Sequence, residues 1–331
     1  MRTKASLLGL LSVLWCWSAA QTPQLRQVSI GQNSIALDIS ADGQYVVGGT
    51  LIESAPRPFL WTPSGGERVL PLPAGAHYAM ARGVSNDGSV IAGEAYFQSP
   101  SYRILPVVWR APNYQPQLLN VPDGAGNYYI AGVSGDGRII AATRLGANLE
   151  EMVYWQDGVY HRVDSGRFRA ISRCGNYIVG NRGSVPVRWV RSLNRFDVLT
   201  DSRDAWYPFA VASGGSPIVG FGGFFGYKGI YWDPCGVISL GDFNGQSVEL
   251  YAISDDGRTA VGWLRGQPAI RWKRERGFLD GYENLNVTFA GLLQGRTLRS
   301  AHAISADGRY IAGSMWVGAV YFAFWLDTAG L

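Results

Sequence analysis

The chain has 331 residues, of which 47% are hydrophobic and 16% charged, with 43 glycines and 12 tryptophans. That apolar and aromatic content excludes a disordered polymer, and the glycine content favours many short strands joined by tight turns over a helical bundle. The formal net charge of +4 is small for a nucleic-acid binder, so no nucleic-acid partner is expected.

At the start, Arg2 and Lys4 precede an apolar run, Ala5 to Trp17, followed by Ser18-Ala19-Ala20 before Gln21. This is the pattern of a secretory signal cleaved after Ala20. The run is too short to span a bilayer, and Trp15 before Cys16 is too bulky for a lipoprotein cleavage site. No later segment offers a membrane span. The expected product is one domain, residues 21–331, outside the cytoplasm: secreted, periplasmic or at the cell surface. Losing Arg2 and Lys4 lowers the net charge from +4 to +2.

Next comes Leu25-Arg-Gln-Val-Ser-Ile30, a short strand pattern belonging to no complete repeat. Then one phrase recurs seven times: LDISADGQYVVGG (37–49), RGVSNDGSVIAGE (82–94), AGVSGDGRIIAAT (131–143), RAISRCGNYIVGN (169–181), AVASGGSPIVGF (210–221), YAISDDGRTAVGW (251–263) and HAISADGRYIAGS (302–314). Its serines fall at 40, 85, 134, 172, 213, 254 and 305, spaced as propeller blades are. An apolar strand ending in tryptophan follows each: Trp61, Trp109, Trp155, Trp189, Trp232, Trp272 and Trp325. After most of these come a turn and a fourth short run, such as Gln117–Val121 or Gly236–Leu240.

One repeat is therefore four strands, A to D in chain order. Asp-Gly between two apolar runs supplies the positive φ of a hairpin, and the preceding serine can bond the turn's free amides. Strand B is apolar on both faces, as a sheet between two others must be. Its small residues, among them Gly48, Gly93, Gly180, Gly262 and Gly313, are expected to make room for the next sheet. Seven such sheets predict an all-β, seven-bladed β-propeller of four-stranded antiparallel blades rather than an open solenoid. The last repeat ends after its third strand at Trp325, so residues 25–30 are expected to complete that blade and close the ring.

The phrases "AMARGVSNDGSVIAGE", "AISDDGRTAVGW" and "YFAFWL" resemble the extracellular HAF-repeat family. The stretch "ENLNVTFAGLLQGRTLRSAHAISADGRYIAG" is similar to that family's last unit, in which a short helical insert leads into the final repeat. The resemblance covers nearly the whole chain after the signal and implies a secreted β-propeller. It carries no catalytic residue across, because the shared positions belong to turns and core. The strand order also resembles that of WD repeats, but no regular aspartate follows the tryptophans.

In this strand order strand A lines the central channel, and the D–A and B–C loops share one face. Three residues before each repeat serine stand Leu37, Arg82, Ala131, Arg169, Ala210, Tyr251 and His302, near the channel mouth, with Asp38 the one acid a position further on. Arg82, Arg169, Tyr251 and His302 can donate hydrogen bonds, a set suited to an anion, a carboxylate or a sugar rather than a metal. The same face gathers Trp206, Tyr207, Phe224, Phe225, Trp263 and Trp316, an aromatic patch over blades 5 to 7 suited to sugar rings or a protein if exposed. Cys174 and Cys235 are a candidate disulfide in an oxidising compartment, although one turn is inner and the other outer.

Catalytic signatures are sparse. His77, His161 and His302 lack metal-ligand spacing, Glu150-Glu151 and Asp201 with Asp204 read as solvated loop acids, and no nucleophile elbow or phosphate loop is present. No catalytic residue, metal or cofactor is assigned. Asn286-Val-Thr288 is a glycosylation sequon. The expected function is binding or scaffolding of an envelope protein or surface glycan through the D–A/B–C face. The alternative is a hydrolase or lyase acting on an anionic glycan at the channel mouth.

Overall fold

A computed structural model describes residues 22–52, 55–98, 101–122, 126–147, 149–200, 206–223, 227–266 and 268–330. The signal sequence, Asp201, Asp204, Phe224 and Phe225 lie outside the described residues. The chain forms seven four-stranded antiparallel sheets. Their A strands are Gln32–Ile39, Tyr78–Val84, Asn127–Val133, Arg167–Ile171, Trp206–Val211, Val248–Ile253 and Thr297–Ile304, each hydrogen-bonded to the strand that follows it in sequence. In blade 7 the outer strand is Gln24–Gln27 from the start of the chain. It pairs antiparallel with Val320–Asp327, Gln24 facing Asp327 and Gln27 facing Phe324.

The joint between last and first blades is filled by Val28, Ala36, Phe59, Trp61, Ala312 and Trp325 in one buried cluster. Similar clusters fill other joints, which is why strand B is buried along both faces. The repeat tryptophans stitch as well as fill. Trp109 Nε1 donates to Pro71 O at 2.8 Å, Trp155 Nε1 to Asn120 O at 2.7 Å, and Trp325 Nε1 to Gly43 O at 2.9 Å, each reaching the neighbouring blade.

The repeated phrase is the A–B turn. Ser305 Oγ donates to Asp307 Oδ1 at 2.6 Å and accepts from Tyr310 N at 2.8 Å, while Gly308 takes φ +77°. The same serine-to-aspartate bond recurs at Ser40, Ser85, Ser134 and Ser254. The glycine of strand B answers a different need from the one expected. A Cβ on Gly313 would lie 2.0 Å from Ser300 O, and one on Gly93 2.0 Å from Met80 O. The obstacle is thus strand A of the same blade, bulged opposite the glycine, and not the next sheet.

The two cysteines of the candidate disulfide, Cys174 and Cys235, are free and exposed. Cys174 sits in the inner A–B turn of blade 4, where its Sγ donates to Ser213 O at 2.9 Å. Cys235 occupies the outer C–D turn of blade 5, its amide bound to Asp233 Oδ1 at 2.8 Å. The sequon asparagine is structural. Asn286, in the helical turn Leu285–Thr288, accepts from Leu298 N at 2.7 Å and donates to Leu298 O at 2.9 Å. No helix of the described residues is long and apolar enough to cross a membrane.

Candidate functional site

All seven residues standing three before the repeat serines line one axial cavity of about 450 Å³, so Arg82, Arg169, Tyr251 and His302 do converge, with Asp38 among them. The period of the repeat is the cause. Each A strand presents the same position inward, so residues far apart in sequence meet on the axis.

Each polar group arrives with a support. Arg82 Nε and Nη2 donate to Glu94 Oε2 at 3.1 and 3.0 Å. Glu94, only 1% exposed, also accepts from Tyr96 OH at 2.7 Å and Ile130 N at 3.0 Å. Asp38 accepts from Ile39 N at 2.8 Å and, across the blade joint, from Val84 N at 2.9 Å. Burial pushes its pKa up, against the pull of the Arg173 guanidinium and those two amides.

Tyr251 donates to Glu249 Oε2 at 2.5 Å and stacks on His302, ring centres 5.1 Å apart. Burial first, then the Glu249 carboxylate, pushes its phenol well above the usual tyrosine range. His302 Nε2 lies 2.9 Å from Ser300 Oγ. Burial holds its imidazole down to about 4, with the Arg299 and Arg82 charges adding, so the ring is neutral at ordinary pH.

Arg169 is supported differently. Its Nε donates to Asn181 Oδ1 at 3.1 Å, and its guanidinium lies 5.0 Å from the rings of both Tyr207 and Phe209. Among the described residues no carboxylate forms an ion pair with it. Burial and the Arg167 charge lower its pKa.

Arg173 is the residue the sequence reading missed. From the A–B turn of blade 4 it crosses the axis, Nη2 donating to Ile304 O at 2.9 Å and to Ile39 O at 3.3 Å, with Nε 3.2 Å from Asp255 Oδ1. One side chain thereby ties blade 4 to blades 6, 7 and 1 at the A–B end. Away from that end the axial cavity adjoins a second, of about 400 Å³, lined by Tyr129, Arg167, Arg169 and Phe209.

The aromatic residues expected over blades 5 to 7 are half-buried: Trp206, Tyr207, Trp263 and Trp316. Tyr207 packs on Phe221 with centres 5.8 Å apart, and Trp316 stands edge-on to Tyr321 at 5.5 Å with Arg299 over it at 5.6 Å. The indole nitrogen of Trp316 is buried and has no hydrogen-bond partner among the described residues. The tyrosines most open on this face stand over blades 2 and 3 instead: Tyr102, 56% exposed, and Tyr129, 36% exposed.

Glu150, Glu151 and His161, also weighed in the sequence, are engaged in ion pairs and a ring contact. Glu151 is buried between Arg144, at 2.5 Å, and Arg162, at 2.7 Å, and Glu150 pairs with Arg167. His161 stacks on Tyr154 with centres 4.6 Å apart. Among the described residues no three His, Cys, Asp or Glu side chains gather as a metal site.

Neither a family model nor a curated protein matches the sequence. Solved propellers do match the structure. An oligogalacturonate lyase from Vibrio parahaemolyticus aligns over 93% of this chain and 97% of its own, with a TM-score of 0.61 at 8% identity. A prolyl endopeptidase aligns over 89% of this chain and 46% of its own, with a TM-score of 0.56 at 12% identity. TolB from Acinetobacter baumannii aligns over 63% of this chain and 52% of its own, with a TM-score of 0.45 at 15% identity. This chain therefore spans about half the length of the last two. At such identities the likeness is one of fold alone.

Proposed function

We propose that this chain is a non-enzymatic binding module working outside the cytoplasm, which holds a component of the cell envelope, a surface glycan, through its D–A/B–C face. The observation that carries the reading is the convergence of Arg82, Arg169, Tyr251 and His302 on one recessed, ring-lined cavity. A concave site mixing hydrogen-bond donors with aromatic faces suits a sugar, whereas a protein partner is met by a broader, flatter surface. The resemblance to the HAF-repeat family and the signal-like start support secretion.

Binding is favoured over catalysis by the state of the carboxylates. Glu94 is held by Arg82, Tyr96 and a backbone amide, Asp255 by Arg173, and Asp38 by two amides. The pair of available acids that most glycosidases need is therefore lacking among the described residues that line the cavity. The second reading, a hydrolase or lyase acting on an anionic glycan, draws on the neutral His302 imidazole, a base standing beside Tyr251.

A glycan array probed with the purified chain, beside a pull-down from an envelope fraction, tests the reading. Glycan binding weakened roughly tenfold or more by Tyr251→Ala and His302→Ala, with no product formed, is expected. Product formation abolished by His302→Ala would establish the enzyme instead. A blank array with a protein recovered from the envelope would put a protein in the glycan's place.

A further inference from the structure

The axial cavity and the neighbouring one share Ile130, Ala131, Arg169 and Phe209, so they adjoin, and together they outline a groove from the axis out over blades 3 and 4. Arg169 stands where the two meet. Every other arginine lining this groove has a carboxylate: Arg82 has Glu94, Arg167 has Glu150 and Arg173 has Asp255. Among the described residues Arg169 has only the neutral Asn181 amide and the faces of Tyr207 and Phe209. Those contacts fix the guanidinium's position and engage Nε, and among the described residues no hydrogen bond occupies either terminal nitrogen. A half-buried cation fixed in this way, with the Glu150 carboxylate acting on it only from a distance and already paired to Arg167, is arranged to receive a carboxylate of its own.

The rest of the groove shows what carries that charge. Inward of Arg169 the walls are Phe209, Tyr251 and the neutral imidazole of His302, the last two stacked. Outward stands Tyr129, 36% exposed, with Tyr102 nearby in the B–C loop of blade 2, 56% exposed. Flat rings on either side of one guanidinium match a chain of sugar rings bearing a carboxylate. A bare inorganic anion would leave those rings without a partner.

Resting on the glycan reading above, we propose that the ligand is an acidic oligosaccharide built of uronic acids, with one carboxylate paired to the terminal nitrogens of Arg169. One sugar then lies in the axial cavity beside Tyr251 and His302, and the next runs outward across Tyr129. A bidentate guanidinium–carboxylate pair specifies the acid, and the length of the groove specifies more than one sugar.

The test is calorimetric titration of glucuronate, galacturonate and mannuronate oligosaccharides, one to four sugars long, each beside its carboxyl-reduced neutral form. The wild type should bind at least one acidic series, with affinity rising from one sugar to two or three, and bind the reduced forms at least tenfold more weakly. Arg169→Met should remove that preference and Arg169→Lys restore part of it, while Tyr129→Ala should flatten the dependence on length. Melting curves of each variant report whether the fold survives, and the reduced oligosaccharides provide the comparison within one variant. Equal binding of acidic and reduced forms would overturn the carboxylate assignment and leave the glycan reading standing. No binding to any uronate, with a neutral glycan bound on the array, would overturn it likewise, whereas a blank array as well would remove the glycan reading too.

Discussion

At His302, burial and two guanidinium neighbours hold the imidazole at about 4, against 6.5 for a free ring. Between those values the unfolded chain takes up a proton that the folded one refuses. The contribution to stability is therefore complete above pH 6.5 and is lost as pH falls toward 4. His302→Gln should make the melting temperature less sensitive to acid than that of the wild type between neutral pH and about pH 4.5. Parallel melting curves would refute the burial of a neutral ring. Arg173 makes a second case at this scale. Arg173→Met leaves Asp255 half-buried without its partner and frees two carbonyls, a loss of about 2 kcal/mol after allowing for partial exposure. Adding Asp255→Asn should return part of it, as chemical denaturation of the two variants would show.

Single turns and strands carry the next level of the argument. Ser305→Ala removes an acceptor for Tyr310 N and a donor to Asp307, both beside a fully buried hydroxyl. The expected cost is about 1–2 kcal/mol, read as a few degrees in a thermal melt. This turn is also why the fold was legible from sequence. Its serine, aspartate and glycine each have a local duty, so the phrase survives in recognisable form wherever a blade begins. The inward residues were legible for the same reason, since a fixed offset from the serine is a fixed place on the axis. What could not be read is what depends on one copy departing from the rest. Arg173 follows its serine where other repeats carry small residues such as Ala41, Gly135 and Ala306, and nothing local says that it reaches across the axis. The bulges of strand A were equally hidden, so the glycines facing them were assigned to the wrong neighbour. The half-burial of Trp263 and Trp316 depends on how adjacent blades lean together, which no single repeat encodes.

For the molecule as a whole, the joint between first and last blades is the one seam not continuous along the chain. It is held by the Gln24–Gln27 ladder, by Val28 N on Ala323 O at 3.0 Å, and by Ala323 N on Ser34 Oγ at 2.8 Å. Removing residues 22–28 strips that ladder and bares the edge at Trp325. With about 1 kcal/mol for each ladder bond and some apolar burial lost, the melting temperature should fall by about 10 °C. An unchanged melt would mean the seam is held by the side-chain cluster alone. The seam was legible from the missing last strand, because a sheet one strand short must borrow one.

The guanidinium of Arg173 acts as a crosspiece at one end of the ring, its donors spread over carbonyls of the last and first blades and a carboxylate of the sixth. A single side chain thus braces across the axis what the blade joints hold only between neighbours, so any splaying of the ring at that end would have to break several bonds to one guanidinium together.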